Sequence, residues 1–105
     1  MPKPNRGEVW LIDLGMVAKV RPCLVISTPA LVQDRALVTV VTHTTSSRNS
    51  RFEVFVEARF LNSTGVFDAQ SIITVSEVKL LKKLGNLLLY QLSVVEDAVR
   101  QWLKL

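Results

Sequence analysis

The hydrophobic period of this chain changes once, and that change limits the folds open to it. Up to about Val78 the apolar residues come in short β-branched or alternating runs. Beyond Leu88 they recur at spacings of four and three, at Leu88, Leu92, Val95, Val99 and Trp102, which places them on one face of a helix. Ser93 and Glu96 would form a capping box for a later start, but the stripe extends upstream of Ser93, so a helix beginning near Leu88 is expected. Trp102 and its stripe read as core or dimer packing rather than as a binding cage. The earlier runs read as strands: "EVWLIDL", the almost wholly apolar "CLVIS", and "RALVTVVTHT", the longest β-branched run and the expected central strand. "RFEVFVEA" alternates, with Phe52, Val54, Val56 and Ala58 on one face. "SIITVSEV" is a strand running into a helical turn that Ser76 could cap, and "LLKKLGNL" is ambiguous. Short strands first and one helix last point to a mainly β fold, a small β-barrel closed or capped by the C-terminal helix.

The 105 residues suit a single domain, 1–105, with no repeat, low-complexity tract or Gly/Ser linker to mark a boundary. A chain of this size buries roughly 65% of its unfolded surface, enough for a core without disulfides or metal. The one cysteine, Cys23, excludes an intrachain disulfide and a cysteine metal cluster, and its place in "CLVI" reads as a small buried hydrophobe. No second histidine and no paired carboxylates stand at ligand spacing, so no metal and no cofactor are expected. The N-terminus has no apolar signal region and no run approaches membrane-spanning length, so the expected location is the cytoplasm, away from membranes.

Charge is mildly basic, +4 with a pI near 9.6, and unevenly spread. Between Gly15 and Arg51 stand Lys19, Arg21, Arg35, Arg48 and Arg51 against Asp34 alone. Within that region "VVTHTTSSRNSR" runs a strand into the hydroxyls Thr44 to Ser47, with the only histidine, His43, at the junction. Such a hydroxyl run ordinarily satisfies its own backbone in a turn. Joined to Arg48 and Arg51, it also describes an anion-binding wall suited to phosphate oxygens. Arg21 precedes Pro22, which biases it to extended geometry at the entrance of a buried strand, where a guanidinium could be held as a fixed phosphate donor. No phosphate-cradling glycine loop, nucleophile elbow or glycosidase carboxylate pair is present.

The segments "RGEVWLIDLG", "RPCLVIS", "THTTS", "FDAQSIITV" and "LLKKLG" come in the order and spacing of the MazF/PemK family, and the chain resembles that family over nearly its whole length. The resemblance implies an SH3-like, PemK-like small barrel ending in a helix and a homodimer. It also implies a toxin that cuts single-stranded RNA in a sequence-selective way, without metal, by 2′-OH attack on the adjacent phosphate. The partner it implies is an acidic antitoxin protein folding across the cationic groove. The family's catalytic arginine falls on Arg21 and its catalytic threonine best on Thr45, with Thr44 one register away. To this we add, on chemical grounds alone, His43 as a proton shuttle, since its ordinary pKa is about 6.5. RNA contacts are expected from Lys19, from the hydroxyls Thr44, Ser46 and Ser47, from Arg48 and Arg51, and from Asp68 and Gln70. Two departures stand out: the loop before Arg21 is only "MVAKV", with Lys19 near the place of a carboxylate, and Val66 replaces the arginine of an "R-x-D-Q" pattern. Other readings are a gyrase-binding toxin of the CcdB type on the same barrel, and a binding module that has lost catalysis.

Overall fold

A computed structural model describes residues 3–15 and 19–105. Six strands and one helix follow in order: β1 (Glu8–Asp13), β2 (Val20–Val25), β3 (Leu37–Thr44), β4 (Glu53–Val54), β5 (Val66–Ser76), β6 (Leu80–Asn86) and α1 (Leu89–Leu103). They form one antiparallel sheet in the order β4-β5-β3-β2-β1-β6. The fold is mainly β with a terminal helix, as the change of period implies. The sheet is not closed into a hydrogen-bonded barrel, because β4 and β6 end it.

Alternate residues of the central strands enter two different clusters. Leu24 and Val41 join the core under α1, with Phe67, Leu92, Val95 and Val99. Cys23, Val25, Val38 and Val40 face the other way and pack with Ile12 and Leu80. Burial on both faces explains why "CLVIS" and the centre of "RALVTVVTHT" show no alternation. Each fully buried Leu or Val contributes about 1.5–3 kcal/mol relative to an exposed one. The alternation of residues 52–58 holds in burial, with Phe52 and Val56 in the α1 cluster and Val54 and Ala58 against it, although only Glu53 and Val54 pair with β5.

Helix α1 starts where the stripe requires. Leu88 donates its N–H to Gln91 Oε1 (2.9 Å), and Gln91 Nε2 donates to the Glu57 carbonyl (3.0 Å), tying the first turn to the residues after β4. The Ser93–Glu96 box is not used, and Glu96 instead accepts from Nε and Nη2 of Arg6. The C-terminus closes with Lys104 in the left-handed region and Leu105 N–H on the Arg100 carbonyl, a Schellman arrangement. The two ends of the stripe are less buried than expected: Leu88 is 59% and Trp102 44% exposed, the latter tilted against Phe52 at 5.5 Å. Ser76 caps the 3₁₀ turn Glu77–Lys79, accepting from Val78 N–H, and "LLKKLGN" is the edge strand β6.

Two irregularities shape one end of the sheet. The β2–β3 ladder begins at Cys23↔Thr42, one residue past Pro22, which has no N–H to give. In the β3–β5 ladder the register jumps from Val41↔Ile72 to Thr42↔Asp68, so Ala69, Gln70 and Ser71 bulge out of β5.

Candidate functional site

The fork beyond Pro22 and the bulge in β5 flank the same end of β3, and a groove of about 320 Å³ lies between them. The groove is lined by Arg21 of β2, Thr42 and Thr44 of β3, Asp68 and Ser71 at the bulge of β5, and Ser46 and Arg48 of the loop after β3. Extending the Cys23↔Thr42 register by two residues sets Arg21 opposite Thr44, and Asp68 is the direct cross-strand partner of Thr42. Two arginines, one aspartate and four hydroxyl residues thus line one open space.

The hydroxyls are oriented by hydrogen bonds. Thr44 Oγ1 accepts from Ser46 N–H (3.1 Å), which leaves its proton for an acceptor in the groove. Thr42, buried, donates to Ser71 Oγ (2.7 Å), so the Ser71 proton also points elsewhere. Asp68 Oδ1 accepts from Gln70 N–H (3.0 Å), the bulge's own backbone. Cys23 lies directly behind Arg21; its thiol is fully buried and touches the Arg21 carbonyl, and burial pushes its pKa up to about 12 against the opposing pull of the Arg21 charge. It is an inert packing residue.

The expected site residues separate into two groups. Arg21, Thr44, Ser46, Arg48 and Asp68 are brought together in the groove. The others lie elsewhere. Thr45 is exposed and outside the groove, so the threonine beside Arg21 is Thr44. His43 faces the α1 side of the sheet, 3% exposed, with its ring edge-on to Phe67 at 4.9 Å. Its Nε2 is buried without a hydrogen-bond partner, and burial holds its pKa below the ordinary value. A proton shuttle at the groove cannot be this residue: β3 alternates, and His43 points away from Thr42 and Thr44.

Ser47 is committed to Glu53 Oε1 (2.9 Å) rather than to the groove. Arg51 lies over the Phe52 ring at 4.6 Å and lines a separate hollow beside α1 with Phe55, Val94 and Asp97. Gln70 is exposed on the bulge, outside the groove lining. Lys19, at φ 60, closes a turn onto Gly15 and is also outside the lining, while residues 16–18 of the short loop lie outside the described residues. Thr42 and Ser71 are additions, and no local pattern in the sequence marks either of them. Among the described residues no three His, Cys, Asp or Glu side chains gather as a metal-binding set.

The pattern that defines the PemK-like, MazF-like toxins of type II toxin–antitoxin systems matches residues 5–103. The chain belongs to that family. Solved MazF-type structures agree with it over the whole fold. A mycobacterial endoribonuclease, solved in complex with its cognate antitoxin, is 28% identical, with a TM-score of 0.83 over 97% of this chain and 96% of that one. The Mycobacterium tuberculosis toxin MazF-mt6 is 26% identical, with a TM-score of 0.79 over 93% of this chain and 97% of that one. A MazE–MazF structure from Deinococcus radiodurans, at 21% identity, TM-score 0.80 and 98% and 97% coverage, is similar in fold. No match is found among curated protein sequences. No helix among the described residues of this MazF-like chain is long and apolar enough to cross a membrane.

Proposed function

We propose that this MazF-like chain is a sequence-selective endoribonuclease toxin acting on single-stranded RNA in the cytoplasm, without a metal ion. The observation that carries this reading is the convergence of Arg21, Arg48, Thr44 and Asp68 on one groove. In the reaction the ribose 2′-oxygen forms a bond to phosphorus and the bond to the 5′-oxygen breaks, giving a 2′,3′-cyclic phosphate and a 5′-OH end. Negative charge gathers on the non-bridging oxygens in the transition state. A preorganised guanidinium and hydroxyl donors stabilise that charge more than they stabilise the ground state, which lowers the barrier.

Arg21 supplies the fixed positive charge and cannot serve as base, because it does not deprotonate. Thr44, whose lone pair is engaged by Ser46 N–H, donates to a non-bridging oxygen and helps hold the phosphate in line. Asp68 is the carboxylate of the groove and takes the proton from the 2′-OH. Water bound at the Arg21 end returns a proton to the departing 5′-oxygen. Splayed bases fit an open groove better than a duplex does, so single strands are the substrate.

The antitoxin in this reading is an acidic segment that folds across the same cationic groove, in competition with RNA. The toxin acts as a homodimer, and the exposed apolar strip of Phe55, Tyr90 and Val94 is the surface available for pairing. The test is incubation of the purified protein with single-stranded RNA in EDTA, followed by analysis of the new ends. Cyclic phosphate and 5′-OH ends are expected; intact RNA, or ends carrying a 5′-phosphate, contradicts the reading.

A further inference from the structure

The loop between β3 and β4 is built around a carboxylate. Glu53, the first residue of β4, accepts Arg48 N–H on both oxygens (3.0 and 3.0 Å), Ser50 N–H on Oε1 (3.1 Å) and the Ser47 hydroxyl on Oε1 (2.9 Å). Asn49 takes the left-handed conformation (φ 56) between them and donates its N–H to Ser47 Oγ (3.2 Å). Successive N–H groups turned inward in this way form a concavity for an anion. Here a side chain of the protein already fills it. The Arg48 main chain binds Glu53, its guanidinium makes no ion pair among the described residues, and Arg48 lines the groove with Arg21. Glu53 is also the cross-strand partner of Asp68, so the loop is anchored to the strand that carries the groove's carboxylate.

We propose that Glu53 is a positioning residue for substrate binding: by gathering residues 47–50 around its carboxylate it presents Arg48 to the groove, where the guanidinium holds a phosphate flanking the one at Arg21. The inference rests on the nuclease reading for the identity of the ligand. It adds a subsite outside the reacting phosphate, and the residue that builds it never touches RNA. The hydroxyl-rich segment is then a scaffold for one cation. A loop of exposed, short polar side chains has no apolar anchor of its own, so the carboxylate supplies the fixed point.

The test uses the intact protein and four variants: Glu53→Gln, Glu53→Ala, Arg48→Ala and the double Glu53→Ala/Arg48→Ala. The probe for binding is a labelled single-stranded 2′-O-methyl oligonucleotide of mixed sequence, which cannot be cut by 2′-oxygen attack. Arg48→Ala is expected to weaken binding about tenfold and to reduce the slope of log K against log salt by about 0.7, the value for one phosphate contact on a single strand. Glu53→Ala should reproduce both changes, Glu53→Gln should fall between it and the wild type, and the double variant should be no weaker than Arg48→Ala alone. With cleavable RNA, Glu53→Ala should raise KM about tenfold and change kcat by less than about threefold, a split that general destabilisation does not produce.

Independent losses that multiply in the double variant, or a Glu53→Ala protein with wild-type affinity and salt slope, overturn the proposal. If Glu53→Ala does not fold, as judged by circular dichroism, Glu53→Gln carries the same comparison. The two readings fail separately. A protein that shows this binding pattern but leaves RNA intact supports the positioning role of Glu53 and contradicts the nuclease. One that loses cleavage on Arg21→Ala while Glu53→Ala behaves as wild type does the reverse.

Discussion

His43 and Thr44 are consecutive on β3 and face opposite sides of the sheet: the imidazole is sealed against Phe67 and Gly65, while the hydroxyl lines the groove with Arg21. One strand thus delivers a packing residue and a groove residue in adjacent positions, and the two should respond differently to substitution.

The imidazole gives a pH signature in stability rather than in cleavage. Burial lowers its pKa in the folded state, so the unfolded chain binds the proton more tightly. Stability is therefore expected to fall as pH drops below about 6.5, the value in the unfolded chain. Urea midpoints between pH 5 and 7 should show this slope in the wild type and lose most of it in His43→Leu. An equal slope in both proteins contradicts the assignment.

Gly65 is required by the same ring. A Cβ built there would lie 2.1 Å from His43 Cε1, far inside contact distance. Gly65→Ala is expected to cost at least about 1–3 kcal/mol, the range for overpacking a close-packed core. In combination with His43→Ala the two losses should be clearly less than additive, because the smaller side chain removes the clash. Chemical denaturation of the two single variants and the double variant measures this directly.

Glu8 gives a second, more acidic window. Burial opposes its ionisation, but hydrogen bonds from Asn5 N–H, Trp10 Nε1 (3.0 Å) and Lys83 Nζ (3.1 Å) prevail and bring its pKa to about 2. Its contribution is expected in full above about pH 4.3, the ordinary glutamate value, and to be lost as pH falls through about 2. Glu8→Gln should destabilise by about 1.5–3 kcal/mol at neutral pH, the range for hydrogen bonds to a charged group, and the gap to wild type should close near pH 2. A gap that stays constant from pH 7 to 2 contradicts the assignment.

The threonine register is a fourth test. Thr44→Val is expected to reduce RNA cleavage about 10²-fold, the scale of one oxyanion donor. Thr45→Val, exposed and outside the groove, should cut close to the wild-type rate. The reverse order would place the site on Thr45.

Much of the fold was legible because its signals are local. The spacing of Leu92, Val95 and Val99 defines α1, and the β-branched run defines β3. The facing of His43 was not legible, because Val40 and Val41 are both buried and a strand covered on both sides shows no alternation to count from. The groove depends on the bulge at Ala69–Ser71 and on the ladder opening at Pro22; the first is set by tertiary pairing that no local pattern reveals. The chemistry of the hydroxyl run suits a ligand anion, yet the anion it holds is Glu53, six residues along from Ser47. Charge distribution and family pattern together single out Arg21, Arg48 and Asp68, and these three line one groove.

The measurement that bears most directly on the account is the single-turnover rate of RNA cleavage by Arg21→Ala, set beside Arg51→Ala in the same buffer with EDTA. Both changes remove one positive charge, but only Arg21 lies in the groove. A loss of about 10²–10³-fold is expected for Arg21→Ala, the scale of a fixed donor to developing negative charge, with Arg51→Ala near the wild-type rate. Cleavage by Arg21→Ala at the wild-type rate, or an equal loss in both variants, contradicts the claim that this groove is where the phosphodiester is cut.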